Sequence, residues 1–293
     1  MFRSGFVSVV GRPNVGKSTL LNQIIGEKVS IISDKPQTTR TKIQLVYTGE
    51  DYQIVFLDTP GIQTPKNALG EAMLKMSRTA LEDVDAILFL VDESEEIGRL
   101  DRYILETLAP IETPKILVIN KTDLLSEEAL QGITERYRAL GFERIVPISA
   151  LHAENIGALI DAIVALLPEG PKYFPDDMIT DQPERLIISE IVREKALLHL
   201  SEEIPHGILV ETERVAKREG KELVDVFVTL YVEKKSHKPI VIGKGGSMIK
   251  IISTEARHDI ERLMGSKIYL EIHVKIAENW RKNEAKVKKF GYK

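Results

Sequence analysis

The sequence predicts an α/β protein in two parts, a doubly wound and mostly parallel sheet followed by a smaller α+β domain. Three observations predict it. Continuous apolar runs alternate with segments of helical spacing as far as Leu167, the pattern of strands buried on both faces between crossover helices. A proline-rich stretch without periodicity, PEGPKYFPDDMITDQP from Pro168 to Pro183, then interrupts the alternation. There the charge inverts: residues 1–183 carry 18 Lys+Arg against 27 Asp+Glu, and residues 184–293 carry 22 against 17. Domains are therefore expected at 1–168 and 184–293, with 169–183 a semi-rigid linker.

Taken in order, Phe6–Val10 is a strand running into a glycine loop, and a helix begins near Thr19. QLVYT and YQIVFLD, on either side of Gly49–Asp51, form a hairpin. AILFLVD (Ala86–Asp92) and KILVIN (Lys115–Asn120) are interior parallel strands. RIVPIS (Arg144–Ser149) contains Pro147 and belongs at an edge or strand end. LDRYILETLA, SEEALQGITERYRAL and NIGALIDAIVALL are helices, the second capped by Ser126. Beyond the linker the order is helix (Arg185–Leu200), strands (Gly207–Arg214 and Leu223–Glu233), a GKGG loop, helix (Ser247–Met264) and strand (Lys267–Val274). A final amphipathic helix is expected from about Glu278.

At 293 residues the chain can bury two cores. It has no cysteine, which excludes disulfides, thiolate metal sites and cysteine nucleophiles and fits a cytoplasmic location. The N-terminal apolar run is too short for a signal peptide, and no window approaches the ~20 apolar residues of a membrane span. The six histidines are scattered without metal-ligand spacing.

Gly11-x4-Gly16-Lys17-Ser18 stands between a strand and a helix, the setting of a phosphate-binding loop. Glycines there let successive backbone N–H groups turn onto phosphates, and the helix N-terminus adds its positive end. Gly11, Asn14, Val15, Gly16, Lys17, Ser18 and Thr19 are candidate contacts. Lys17 reaches the β- and γ-phosphates, and Ser18 gives its hydroxyl to Mg²⁺. In IVFLDTPG, Asp58 ends a strand where it can hold that ion through water, and the Gly61 N–H can meet the γ-phosphate. In VINKTD, Asn120, Lys121 and Asp123 follow another strand. A carboxylate at Asp123 accepts from guanine N1–H and the exocyclic amine, and adenine would leave it buried and unpaired. Ser149 and Ala150 of ISAL complete the base site, with the Ala150 N–H directed to guanine O6. In this order and spacing the motifs specify GTP.

The loop, PQTTR, DTPG, NKTD and SAL, together with the C-terminal half down to VKIAENWRKNEAKVKKFGY, resemble the Era family of bacterial ribosome-associated GTPases over nearly the whole chain. The resemblance implies a Ras-like P-loop GTPase domain. It places Thr38 and Thr39 in the first switch segment, where a threonine closes over Mg²⁺ and the γ-phosphate. Thr39 is favoured, although the adjacent pair leaves the choice open. Lys17, Thr39 and Gly61 are then the groups that act on the γ-phosphate, and Ser18, Thr39 and Asp58 the metal site. Many small GTPases place a water-orienting glutamine after the DxxG glycine. Here that position is Ile62, with Gln63 one residue displaced. The resemblance implies slow hydrolysis, with K⁺ near Asn14 as a hypothesis. No general base is assigned.

Residues from Lys234 onward carry 15 Lys+Arg against 6 Asp+Glu, which suggests a polyanionic partner. VIGKGGSMIK cannot be a second phosphate loop, because no Gly-Lys-Ser/Thr follows. It matches Ile-Gly-x-x-Gly-x-x-Ile, the turn with which KH domains clamp about four nucleotides of a single strand. Ile242, Gly243, Lys244, Gly245, Gly246 and Lys250 are the candidate RNA contacts, and the element order is that of a bacterial-type (type II) KH domain. Arg281 and Lys282 are further candidates, and Trp280 beside them either stacks a base or anchors the last helix.

The resemblance further implies the target, the single-stranded 3′ end of 16S rRNA, and a role in assembly of the 30S subunit. An alternative reading is an RNA-binding chaperone whose nucleotide is only a stabilising ligand. A third has the basic C-terminal helix meeting anionic lipid, peripheral at the inner face of the cell membrane. Nothing in the sequence calls for an obligate oligomer.

Overall fold

A computed structural model describes residues 1–33, 35 and 38–292. Of the PQTTR motif, Pro36 and Gln37 lie outside the described residues. The first part forms a six-stranded sheet of order β2-β3-β1-β4-β5-β6. Its strands are β1 (Arg3–Val10), β2 (Ile43–Thr48), β3 (Tyr52–Asp58), β4 (Ala86–Val91), β5 (Lys115–Ile119) and β6 (Ile145–Pro147). All neighbours are parallel except β2 and β3, which form the expected hairpin. Helices α1 (Lys17–Ile25), α2 (Ala68–Thr79), α3 (Arg99–Leu108), α4 (Glu127–Ala139) and α5 (Ile156–Val164) cover it.

The apolar runs are continuous because both faces are covered. Val7, Val9, Ile54, Phe56, Leu88 and Leu90 pack with Leu20 and Leu21 of α1 and Leu159 and Ile163 of α5. Ile87, Phe89, Leu117 and Ile119 pack with Ile104 of α3 and Ile133 and Tyr137 of α4. β1 lies between β3 and β4, so the chain leaves it in opposite directions across the sheet. Ligands of such sheets bind at the carboxyl end of the strands at this reversal, where the loop after β1 stands.

The sequence reading did not include α2. Its signals were present: Asn67 caps it by accepting from the Gly70 N–H at 3.0 Å, and Leu69, Met73 and Met76 recur at helical spacing.

The linker is more firmly held than its composition suggests. The buried Gln53 side chain accepts from the Tyr173 and Phe174 N–H groups (2.8 and 3.0 Å) and donates to Phe174 O (2.9 Å). The Val46 N–H donates to Ile179 O at 2.9 Å, and Thr180 Oγ1 to Gln44 O at 2.6 Å. Ile179 and Thr180 thus lie along the outer edge of β2, the edge that would otherwise present unpaired backbone, while Tyr173 and Phe174 are tied to β3.

The second part comprises α6 (Glu184–His199), α7 (Ile204–Gly207), β7 (Leu209–Lys217), β8 (Val224–Val232), α8 (His237–Ile242), α9 (Ser247–Met264), β9 (Ile268–Ile276) and α10 (Glu284–Lys289). β8 is central, antiparallel to β7 and parallel to β9. Its alternate residues Val226, Val228, Leu230 and Val232 pack on Ile188 and Val192 of α6 and Ile252, Ala256 and Ile260 of α9. The period-2 pattern marks a sheet covered on one face only.

The expected final helix differs. Trp280–Lys282 form a single 3₁₀ turn, and only Glu284–Lys289 is α-helical. Asn283 makes the break by capping α10 itself, accepting from the Lys286 N–H at 3.0 Å. Trp280 is 0% exposed and donates its ring N–H to Gly207 O at 3.0 Å. With Val287, Tyr292 and Leu209 it packs against Leu69 and Met73 of α2. The anchoring alternative holds for Trp280, and the anchor joins the two domains.

Candidate functional site

The loop after β1 enters α1 through Gly16, whose φ of 98° is left-handed. A Cβ there would lie 2.2 Å from Asn120 Nδ2. That amide is pinned at both ends: Nδ2 donates to Val15 O at 2.8 Å, and Oδ1 accepts from the Ala150 N–H at 2.9 Å. One buried side chain therefore joins the phosphate loop, the NKTD loop and the SAL loop. Within the folded chain the Ala150 N–H is engaged by Asn120. The Ser149 hydroxyl donates to Asp123 Oδ1, so Ser149 orients the Asp123 carboxylate. Lys121, itself left-handed, reaches Glu93 at 3.0 Å and Asp92 at 3.6 Å.

Lys17 is buried and donates to the carbonyls of Gly11 (3.1 Å) and Arg12 (3.0 Å). Burial lowers its pKa to about 8, the Asp58 charge opposing that shift and Arg12 adding to it. Burial likewise raises Asp58, against the pull of Lys17 and the Ser18 hydroxyl. Ser18 Oγ lies 3.3 Å from Asp58 Oδ2 and 3.1 Å from Thr39 Oγ1. Asp58 Oδ1 is buried without a hydrogen-bond partner. Three hard oxygens converge beside a lysine, one with an unused lone-pair site, and this donor set suits Mg²⁺. Thr38 is turned elsewhere, its hydroxyl donating to Lys35 O at 2.6 Å and facing Ser33 O at 3.3 Å. Of the two threonines, Thr39 is the one whose hydroxyl stands against Ser18.

Asn14, Gly16, Lys17, Ser18, Thr19, Thr38, Thr39, Gly61 and Lys121 line one pocket. Val15 is buried beneath it, and Gly11 faces it through its carbonyl. Ile31, Ile32 and Ser33 line the same pocket and were missed, because apolar residues between a helix and a switch carry no motif. Ile62 is 1% exposed and packs in the core with Phe89.

In the second part, the GKGG loop joins α8 to the 18-residue α9. Gly243 has φ 77°, and a Cβ there would sit 2.6 Å from the Met248 N–H nitrogen, so the tight turn admits no side chain. Lys244, Gly245 and Lys250 are exposed, and Ile242, Gly243 and Gly246 partly so. Lys282 is exposed, whereas Arg281 is half-buried and paired with Glu233.

Residues 6–121 match the model of the 50S ribosome-binding GTPase family, and residues 203–281 that of the KH domain. GTPase Era of Alkaliphilus metalliredigens is 58% identical over 292 residues, 99% of each chain. That of Clostridioides difficile is 56% identical over 100% of this chain and 99% of its own. The chain belongs to the Era family of GTPases. Membership makes it an enzyme that binds and hydrolyses GTP on a Ras-like domain with an RNA-binding KH domain behind it. Two crystal structures of Era superpose on it at 41% identity. One, in complex with MgGDPNP and nucleotides 1506–1542 of 16S ribosomal RNA, has a TM-score of 0.96 and covers 100% of this chain and 99% of its own. The other, an Aquifex aeolicus variant bound to GDP·AlF4⁻, has a TM-score of 0.95 and covers 99% of each. Among the described residues, no helix is long and apolar enough to cross a membrane.

Proposed function

We propose that this Era-family GTPase uses the site around Lys17 as a switch that controls the hold of its KH domain on the single-stranded 3′ end of 16S rRNA during 30S subunit assembly. The observation that carries the reading is the cluster of Ser18, Thr39 and Asp58 oxygens beside Lys17. It brings a residue of the first switch segment against the phosphate loop.

Ser18, Thr39 and Asp58 would hold Mg²⁺, directly or through water, and the ion would supply charge neutralisation for the phosphates. Lys17 neutralises the β- and γ-phosphates, and the Gly61 N–H donates to the γ-phosphate as charge builds there. Asn120 fixes the relative position of the three loops, and Asp123, oriented by Ser149, selects guanine. The Ile62 side chain packs in the core, and its backbone N–H donates to Gly11 O at 3.3 Å. Asn14 would be the residue to hold K⁺ beside the phosphates, where the ion would add to the charge of Lys17, and unequal hydrolysis rates in Na⁺ and K⁺ are expected.

On the KH side, Gly243–Gly246 and Lys244 bring the RNA backbone close, and Lys250 and Lys282 add charge. The third reading, a membrane surface, is less well supported. The apolar residues of the terminal segment are committed to α2, which leaves only its lysines for lipid; flotation with anionic liposomes in moderate salt tests it. The switch is tested by the affinity of a 16S 3′-end oligomer in the presence of a non-hydrolysable GTP analogue and of GDP. Tighter binding with the analogue, lost in Gly245→Asp, is expected. Equal affinity in both states would refute nucleotide control.

A further inference from the structure

The first switch segment is held from outside its own domain. The Ile32 N–H, at the nucleotide pocket, donates to Glu194 Oε1 of α6 at 2.8 Å. The neighbouring Arg193, 1% exposed, donates to Thr38 O and is paired with Glu190 one turn earlier. On the far side of Thr39, Arg40 is 1% exposed and inserts into the KH domain. It donates to Ile208 O at 2.6 Å and His206 O at 3.0 Å, and its guanidinium stands 5.7 Å from the centre of the Trp280 ring. Lys28, between α1 and this segment, pairs with both Glu194 of α6 and Asp259 of α9. Contacts on either side of Thr39 therefore end on the RNA-binding domain, while Thr39 itself stands 3.1 Å from Ser18.

We propose that Arg193 and Glu194 are positioning residues for GTP hydrolysis, contributed by the KH domain, which clamp the switch segment so that Thr39 meets the metal cluster. The physical case is one of geometry and dielectric. Backbone groups at Ile32 and Thr38 bonded to charged side chains make hydrogen bonds stronger than neutral ones, and both charged partners, Arg193 and Glu194, are 1% exposed. Thr39 is therefore not free to leave Ser18 unless Thr38 leaves Arg193 or the two domains separate. The GTP state needs Thr39 at the metal and the GDP state does not. The clamp consequently stabilises one nucleotide state over the other, and by linkage the same residues carry the effect of nucleotide to α6 and α9. The inference rests on the assignment of Thr39 to the metal site.

The test uses the full chain without RNA. Affinities for a non-hydrolysable GTP analogue and for GDP are measured with Mg²⁺, together with single-turnover hydrolysis across Mg²⁺ concentrations. Two variants remove the clamp. Glu194→Ala deletes the acceptor of the Ile32 N–H. Glu190→Gln/Arg193→Met removes both members of the buried pair, so that neither is left without the other. Each is expected to reduce the preference for analogue over GDP about tenfold or more, to raise the Mg²⁺ needed for half-maximal hydrolysis, and to leave GDP affinity within about twofold. Glu194→Gln, whose amide oxygen still accepts from Ile32, is expected to restore most of the preference. An unchanged preference in both clamp variants would overturn the proposal, as would equal losses for both nucleotides, which mark general damage. Thr39→Ala separates the two levels. If it abolishes the preference while the clamp variants keep it, the clamp alone fails; if it too leaves the preference intact, the metal assignment fails and takes the clamp with it.

Discussion

Gly16→Ala is the sharpest probe of how the nucleotide site is assembled. The new methyl group would fall 2.2 Å from Asn120 Nδ2, far inside contact distance. A flexible side chain would move aside, but Asn120 is buried and pinned to Val15 O and to the Ala150 N–H. Yielding means giving up both bonds, at about 0.5–1.5 kcal/mol each. Alanine at a left-handed φ of 98° adds about 1–2 kcal/mol of backbone strain. Together these come to roughly 2–5 kcal/mol, or a loss of about 30-fold to several thousand-fold in nucleotide affinity. The loss should fall on GDP and on GTP analogues alike, because the bridged loops serve both. Titration calorimetry with GDP, alongside thermal denaturation without nucleotide, measures it. A dissociation constant within about threefold of the parent would show that Asn120 moves at no cost and that the three loops are not joined as described.

Three other outcomes follow from the structure. Gly243→Ala forces a methyl group to 2.6 Å from the Met248 nitrogen and should cost at least tenfold in affinity for a single-stranded RNA oligomer, with GDP titration unchanged; an undiminished RNA affinity would show that the loop tolerates a side chain. Trp280→Ala should destabilise the chain by about 3–5 kcal/mol in denaturant titration. Trp280 is also the single tryptophan, and its emission should stay unquenched as RNA is added, so quenching by a stacked base would contradict its burial. Gln53→Ala strands the N–H groups of Tyr173 and Phe174 and should cost about 2–4 kcal/mol, with faster proteolysis within 169–183; an unaltered melting temperature and digestion rate would mean that segment is not held by Gln53.

Much of the nucleotide site was legible because its chemistry is carried by short contiguous peptides. A strand followed by Gly-x4-Gly-Lys-Ser leaves little freedom in where the backbone N–H groups point, and NKTD and SAL each follow a strand end. What these motifs do to one another was not legible. Nothing in the string shows that the Ala150 N–H is held by Asn120 or that Ser149 serves Asp123. The same limit explains the choice between Thr38 and Thr39: adjacent threonines look alike until the direction of each hydroxyl is known.

The sequence by itself determined the two-domain order, the parallel sheet, the phosphate loop and the glycine-rich turn of the KH domain. These depend on local backbone requirements and on apolar periodicity, which are properties of a few neighbouring residues. Only the tertiary structure decided that Ile179 and Thr180 seal the edge of β2, that Trp280 is buried against α2, and that α6 grips the switch segment. Each of those contacts joins residues more than a hundred positions apart, through single hydrogen bonds, apolar packing or buried charges. Arginine and glutamate on a helix have the same letters whether they face water or a switch, and the fold alone brings the partner within reach.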